Sequence, residues 1–281
     1  MNDEKKITLV IGKRGSGKSV LLKHLIRDAR RLMVYDVMSE YKQGVCFGRE
    51  DLNEMLTFWE EHYRRDFRII YRPLNVKEEI KWLSRGVFIL GDVTFVVEEI
   101  DAVCTAWVIP EWLGYCIQRG RHQNIELIAV TPAPFGINRD LTRQAKRIIV
   151  FNTNEPKDLD YLAALLGNDV KRIVPALGEF EFMEWRDLHE GFYVGKLNRQ
   201  SDRVEYVNDH RTAELASEPA RLPAPLRRPD ALEAHKESGA ETTLRPVQLF
   251  GQRNRGPLLV RRSRLERKVE VNDGKTDAEN R

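Results

Sequence analysis

Residues 7–19 read ITLVIGKRGSGKS: a run of β-favouring apolar residues feeds straight into Gly12-x-x-x-x-Gly17-Lys18-Ser19. Glycines at 12, 15 and 17 let the backbone turn tightly and aim its N–H groups inward, the arrangement that cradles phosphates. The cradle predicted from this spacing is Gly12, Lys13, Arg14, Gly15, Ser16, Gly17, Lys18, Ser19 and Val20. Lys18 is expected to reach the β and γ phosphates of a nucleotide, and the Ser19 hydroxyl to coordinate Mg²⁺. The following stretch, 18–29, carries apolar residues at Val20, Leu21, Leu22, Leu25 and Ile26, so it predicts a helix whose N-terminal dipole faces the same anion. Strand, loop and helix together make a P-loop in its proper context.

Working outward, strands are predicted at 31–35, 67–71, 93–97, 125–130 and 147–151, and helices at 51–63, 76–84, 111–119, 139–145 and 158–166. Asp51 and Glu54 read as a capping pair for the second helix. Strands whose apolar residues are continuous rather than alternating are buried on both faces, which implies an α/β fold around a mostly parallel sheet. A strand at 179–185 and a hairpin pairing 191–197 with 203–207 add a small β extension. That closes a globular unit over 1–208. Prolines at 219, 223, 225 and 229 and weak apolar periodicity mark 209–281 as a loosely ordered charged tail. Within it, 253–268 gathers seven basic residues around Leu258, Leu259 and Val260. That cluster suits phosphate-backbone contact, a solubilising tail, or a docking peptide for a protein partner.

Composition narrows the classes. The 281 residues are 42% hydrophobic, enough for a substantial core, and carry a formal net charge of +3. Three cysteines, Cys46, Cys104 and Cys116, lack CxxC spacing and are expected as free buried thiols in a reducing compartment. No apolar run is long enough for a membrane span, which points to a soluble cytoplasmic protein.

Hydrolysis needs a carboxylate for Mg²⁺ and a second group to orient water. The strand VTFVV runs directly into Glu98-Glu99, and pleating would send adjacent side chains to different sides. Glu98 is assigned to the metal and Glu99 to water. Thr131, at the tip of the 125–130 strand, is either a γ-phosphate sensor or a strand end. Arg119 and Arg121 are candidates for a transition-state arginine.

The order of these signals resembles the FtsK–HerA superfamily of DNA-pumping P-loop ATPases. The matching pieces are VIGKRGSGKS, VYDVMSEY, VTFVVEEID, RGRHQNIELIAVTPAP and NRDLTRQAKRIIVF, together spanning about 6–186. The resemblance implies a RecA-like core, and a ring, of six copies, in which Arg119 or Arg121 serves the neighbouring copy's ATP. It also implies double-stranded DNA as a partner held without base readout. Two departures stand out: Glu98-Glu99 replaces the family's Asp-Glu, and Pro132 replaces the glutamine of its Thr-Gln-x-Pro sensor. A chain opening on its P-loop strand, with neither a winged-helix module nor an N-terminal barrel, looks like the compact genome-packaging ATPases of tailless membrane-containing viruses. Capsid or membrane-vertex proteins are then further partners, and the site of action is the host cytoplasm or the virion. The competing expectations are an ATP switch in phage assembly, similar to proteins resembling zonula occludens toxin, and a small-substrate kinase. A GTPase is disfavoured because NTNEPKD at 152–158 is not an NKxD motif.

Overall fold

The computed structural model describes residues 6–187, 191–198 and 203–206. The charged tail and its basic cluster at 253–268 lie outside the described residues, as does the end of the hairpin expected to reach 207.

Among the described residues a ten-stranded sheet organises the fold, in the order β10-β9-β8-β7-β1-β6-β5-β2-β4-β3. Seven strands are parallel: β1 (Ile7–Ile11), β2 (Arg31–Tyr35), β3 (Val45–Phe47), β4 (Phe67–Tyr71), β5 (Val93–Val97), β6 (Ile125–Thr131) and β7 (Ala145–Phe151). The remaining three, β8 (Glu181–Arg186), β9 (Phe192–Asn198) and β10 (Arg203–Tyr206), continue the sheet antiparallel beyond β7. Every residue of β1 and β5 is buried, as continuous apolar strands require when both faces are covered.

The pleat divides the core into two. Leu9 and Ile11 join Tyr35, Tyr71, Phe95, Val97 and Leu127 on one face. There they pack against α2 (Leu52–His62), α3 (Val76–Leu90), α5 (Glu111–Arg119) and α7 (Pro156–Leu166). On the other face Val10, Val34, Val96 and Ile149 meet Leu21 and Leu22 of the P-loop helix, Ile26 just beyond its end, and the buried ring of Tyr41. The helix after the P-loop, α1 (Lys18–Leu25), is four residues shorter than the 18–29 expectation.

Several local expectations change. Helix α3 runs on past Ser84 to Leu90; at Gly86 a Cβ would lie 3.1 Å from the Trp59 ring, so the bare backbone there lets α3 come close to α2. Asp51 does occupy the N-cap position of α2, but its carboxylate accepts from the Gly48 N–H at 2.9 Å instead of capping the helix. A side-chain cap forms instead on the next helix, where Asn75 Oδ1 accepts from the Glu78 N–H at 3.2 Å at the start of α3. Short elements with little pattern escaped sequence reading: β3, the one-turn helix α4 (Ile100–Val103), and α8 (Val170–Ala176), which holds Pro175 in its last turn. Between α7 and α8 in sequence order fall no strands; α6 (Arg139–Gln144) precedes β7. Cys104 and Cys116 are buried free thiols, whereas Cys46, on β3 at the sheet edge, is exposed, contrary to expectation.

Candidate nucleotide site

The glycine turn between β1 and α1 is shaped by backbone that other residues resist. Gly15 and Gly17 adopt φ of 81° and 106°, a region nearly reserved for glycine. At Gly17 a Cβ would also stand 2.9 Å from Leu197 and 3.1 Å from Phe180, so both space and conformation demand glycine. The Gly12 N–H donates to the Thr131 carbonyl at 3.1 Å, tying the loop to β6. Lys18 Nζ curls back to donate to the Lys13 carbonyl at 3.1 Å.

Sheet order decides what faces this turn. Strand β6 separates β1 from β5, so the P-loop and the acidic turn after β5 stand two strand spacings apart, about 10 Å. They open onto one cavity of about 580 Å³, lined by Arg14, Gly15, Gly17, Lys18, Ser19 and Val20 on one side and by Glu98 and Glu99 on the other. The strand does not simply continue through the pair: Glu99 has a left-handed backbone, with φ of 47°, so strand pleating does not set its direction relative to Glu98. That conformation is uncommon outside glycine and concentrates at functional sites.

Glu98 is buried, and its carboxylate lies 3.4 Å from the Met38 N–H. Burial, reinforced by the negative charge of Asp36, pushes its pKa up to about 8. Glu99 is half-buried and faces Lys18; burial raises its pKa, with the charge of Asp101 adding to the rise and Lys18 opposing it. Lys18 shifts the other way: burial lowers its pKa more than Glu99, Glu40 and Glu98 raise it. The pocket thus keeps lysine and carboxylates in balance while both are partly desolvated.

A segment that sequence reading noted without assigning a task completes the pocket. Fully buried Asp36, at the carboxyl end of β2, accepts N–H bonds from Glu40 at 2.9 Å and Tyr41 at 3.3 Å and pairs with Arg72 at 3.3 Å. This loop turns Glu40 onto the Ser19 hydroxyl, which donates to its carboxylate. The signal available in the sequence was an acidic residue ending a buried strand, with Glu40 four positions on.

Among the described residues no group of three or more His, Cys, Asp or Glu side chains is placed to hold a metal ion alone. The donors present, Ser19 Oγ, Glu98 and Glu40, fit an ion that arrives with its own phosphate and water ligands, as Mg²⁺ does. Ser16 Oγ, buried in the loop without a hydrogen-bond partner, is a further unmet polar group in the cradle.

Other predicted residues sit elsewhere. Thr131 is buried, its Oγ1 2.8 Å from the Ala133 carbonyl and 3.0 Å from Asp101, while Pro132 lines the cavity. Lys13 and Ser16 face a smaller cavity of about 260 Å³ on the other flank of the loop. Arg119 ends α5 with its guanidinium 5.2 Å from the Tyr115 ring, and Arg121 lies in the 3₁₀ turn Gly120–Gln123 that leads into β6. Both precede β6, whereas the P-loop follows β1, its parallel neighbour. The seven residues of β6 put about 20 Å of strand between those two ends of the sheet's strands. Neither arginine reaches the cavity of its own chain.

The genome packaging NTPase B204 from Sulfolobus turreted icosahedral virus 2, in complex with sulfate, superimposes with a TM-score of 0.56 at 17% identity, over 69% of this chain and 96% of that one. The same protein in complex with ATP-gammaS gives a TM-score of 0.56 at 16% identity, over 74% and 98%. B204 described as the DNA-packaging ATPase from Sulfolobus turreted icosahedral virus gives 0.53 at 16% identity, over 74% and 98%. The chain has a P-loop NTPase fold. That likeness covers nearly the whole length of the packaging NTPase. No protein-family model matches the sequence, and no curated protein is similar to it. Among the described residues no helix is long and apolar enough to cross a membrane.

Proposed function

We propose that this P-loop NTPase is an ATPase that drives double-stranded DNA, in the manner of a motor packaging a viral genome into a preformed capsid. The observation that carries the reading is the single cavity shared by Lys18, Ser19, Glu98 and Glu99. Gly12 to Val20 hold the phosphates, with Arg14 at the rim. Mg²⁺ bound to the triphosphate would take Ser19 and Glu98 as protein ligands and neutralise the β and γ phosphates. Glu99, turned toward Lys18 by its left-handed backbone, orients the attacking water. A ring of copies, six by resemblance, brings the arginine edge of one chain to the cavity of the next, and Arg119 or Arg121 there stabilises the transition-state charge. DNA is gripped through its phosphates. The host cytoplasm, or a virion vertex with capsid or membrane-vertex proteins, is where such a pump works.

Purified protein should hydrolyse ATP, and double-stranded DNA should stimulate it several-fold. Lys18→Ala should lower turnover by at least about a hundredfold, since a charge that stabilises the transferring phosphoryl is lost. Turnover undiminished in that variant refutes the site. One observation favours a second reading, an ATP-dependent assembly switch: Thr131 bonds within its own turn and Pro132 occupies the cavity wall. ATP binding with a basal rate indifferent to DNA selects the switch.

A further inference from the structure

Phe180 occupies a position that neither the phosphates nor the hydrolytic groups account for. It immediately precedes β8, and in the sheet β8 lies two strands from β1 on the side opposite β5. Glu99, after β5, and Phe180, before β8, therefore flank the glycine turn from opposite directions. The γ phosphate belongs beside Glu99 and Lys18, so the rest of a nucleotide must lead away from β5, along Ser19 and Val20, toward Phe180. The ring is half-buried, stands 3.1 Å from where a Cβ on Gly17 would be, and lines the cavities on both flanks of the loop.

We propose that Phe180 is the platform on which the nucleobase stacks, and that the base is held by its face with little discrimination between purines. This rests on the nucleotide reading of the same cavity. The loop carrying Phe180 is rigid: the Phe180 carbonyl accepts from the Leu197 N–H at 3.0 Å, and Glu181 closes back on the Gly178 N–H at 2.8 Å. Phe180 itself is held at φ of 60°, where a bulky residue persists only if its surroundings enforce it. Two of the polar side chains that line the smaller cavity, Asn152 and Glu181, are already engaged. Asn152 donates to the carbonyls of Pro175 at 3.0 Å and Leu177 at 2.7 Å, and Glu181 also pairs with Lys196 at 3.7 Å. An aromatic face remains as the recognition element, and every base presents a π-face to it.

The test is equilibrium binding of ATP, GTP and inorganic tripolyphosphate to the full chain and to Phe180→Leu and Phe180→Trp. Stacking predicts that the leucine variant binds ATP and GTP about tenfold more weakly, the tryptophan variant binds them as wild type does, and tripolyphosphate binds all three proteins within about twofold. ATP affinity unchanged in Phe180→Leu overturns the inference. So does a parallel loss of tripolyphosphate binding, which would make Phe180 a prop for the P-loop. Wild-type preference for ATP over GTP beyond about a hundredfold overturns recognition by the face alone. Wild-type protein that binds neither nucleotide nor tripolyphosphate overturns the nucleotide reading and this inference with it.

Discussion

Glu184 on β8 is a charged side chain with no solvent exposure. Burial alone would raise its pKa, but the hydrogen bonds from Arg147 and Arg186, with Tyr206 adding another, hold it below the ordinary carboxylate value. Arg147 donates through Nε at 2.7 Å and through Nη2 at 3.1 Å, and Tyr206 reaches across β9 to donate at 2.6 Å. Removing one partner of a buried pair strands the other. Glu184→Gln should therefore lower unfolding stability at pH 7 by about 2 kcal/mol, less than for a fully enclosed pair because Arg186 is partly exposed. A depressed folded-state pKa means that this stabilisation is complete above the unfolded value of 4.5 and disappears as pH falls through the folded one. Urea unfolding from pH 7 downward should show the gap between wild type and variant narrowing; a gap constant with pH would remove the charge from the explanation. The sequence displays Glu184 within an apolar strand, yet gives no hint that two arginines and a tyrosine from three strands converge on it. Contacts between segments distant in sequence are what a linear pattern leaves out. Glu99 is the opposite case: its place after five apolar residues was legible, while the left-handed turn that aims it was not.

At the scale of the element, the antiparallel extension explains how a β addition at the sheet edge serves the nucleotide cavity. Phe182 of β8 pairs across the ladder with Gly195 of β9, and a Cβ on Gly195 would stand 2.3 Å from the Phe182 ring. The fully buried ring cannot step aside. Its neighbours Phe151 and Tyr206 hold it at centroid distances of 5.8 and 6.1 Å. Gly195→Ala should therefore cost about 2 kcal/mol through overpacking and, by shifting β8 and β9, disturb Phe180 and Leu197 where they meet Gly17. Thermal unfolding and ATP affinity measured on the same variant should fall together; an unaltered melting temperature would mean that the Phe182 ring yields to the added methyl. The existence of these strands was visible in their aromatic and β-branched composition, and the parallel core was visible in continuous apolar runs. Short β3 and Pro-bearing α8 were not, because three residues or a prolyl turn leave no period to read.

Across the whole molecule, the parallel sheet places the P-loop at the carboxyl ends of its strands and Arg119 and Arg121 at the amino ends, separated by the length of β6. A chain built this way has a nucleotide cavity whose described wall receives no arginine from the α5–β6 turn. If those arginines complete the site, they do so for an adjacent copy, and the two defects can be separated genetically. A Lys18→Ala chain would still offer its arginines, and a chain carrying both Arg119→Ala and Arg121→Ala would still present an intact P-loop. Each alone should lose nearly all DNA-stimulated turnover, the arginine variant by about a thousandfold or more. Mixed in equal amounts and allowed to exchange, they should regenerate about one quarter of the junctions, those pairing a sound P-loop with a sound arginine edge. Turnover of the mixture well above the sum of its parts is the expected result. No recovery, in samples that light scattering shows to be mixed rings, would mean that neither arginine acts across the junction, since a finger supplied within one chain would be insensitive to its neighbour.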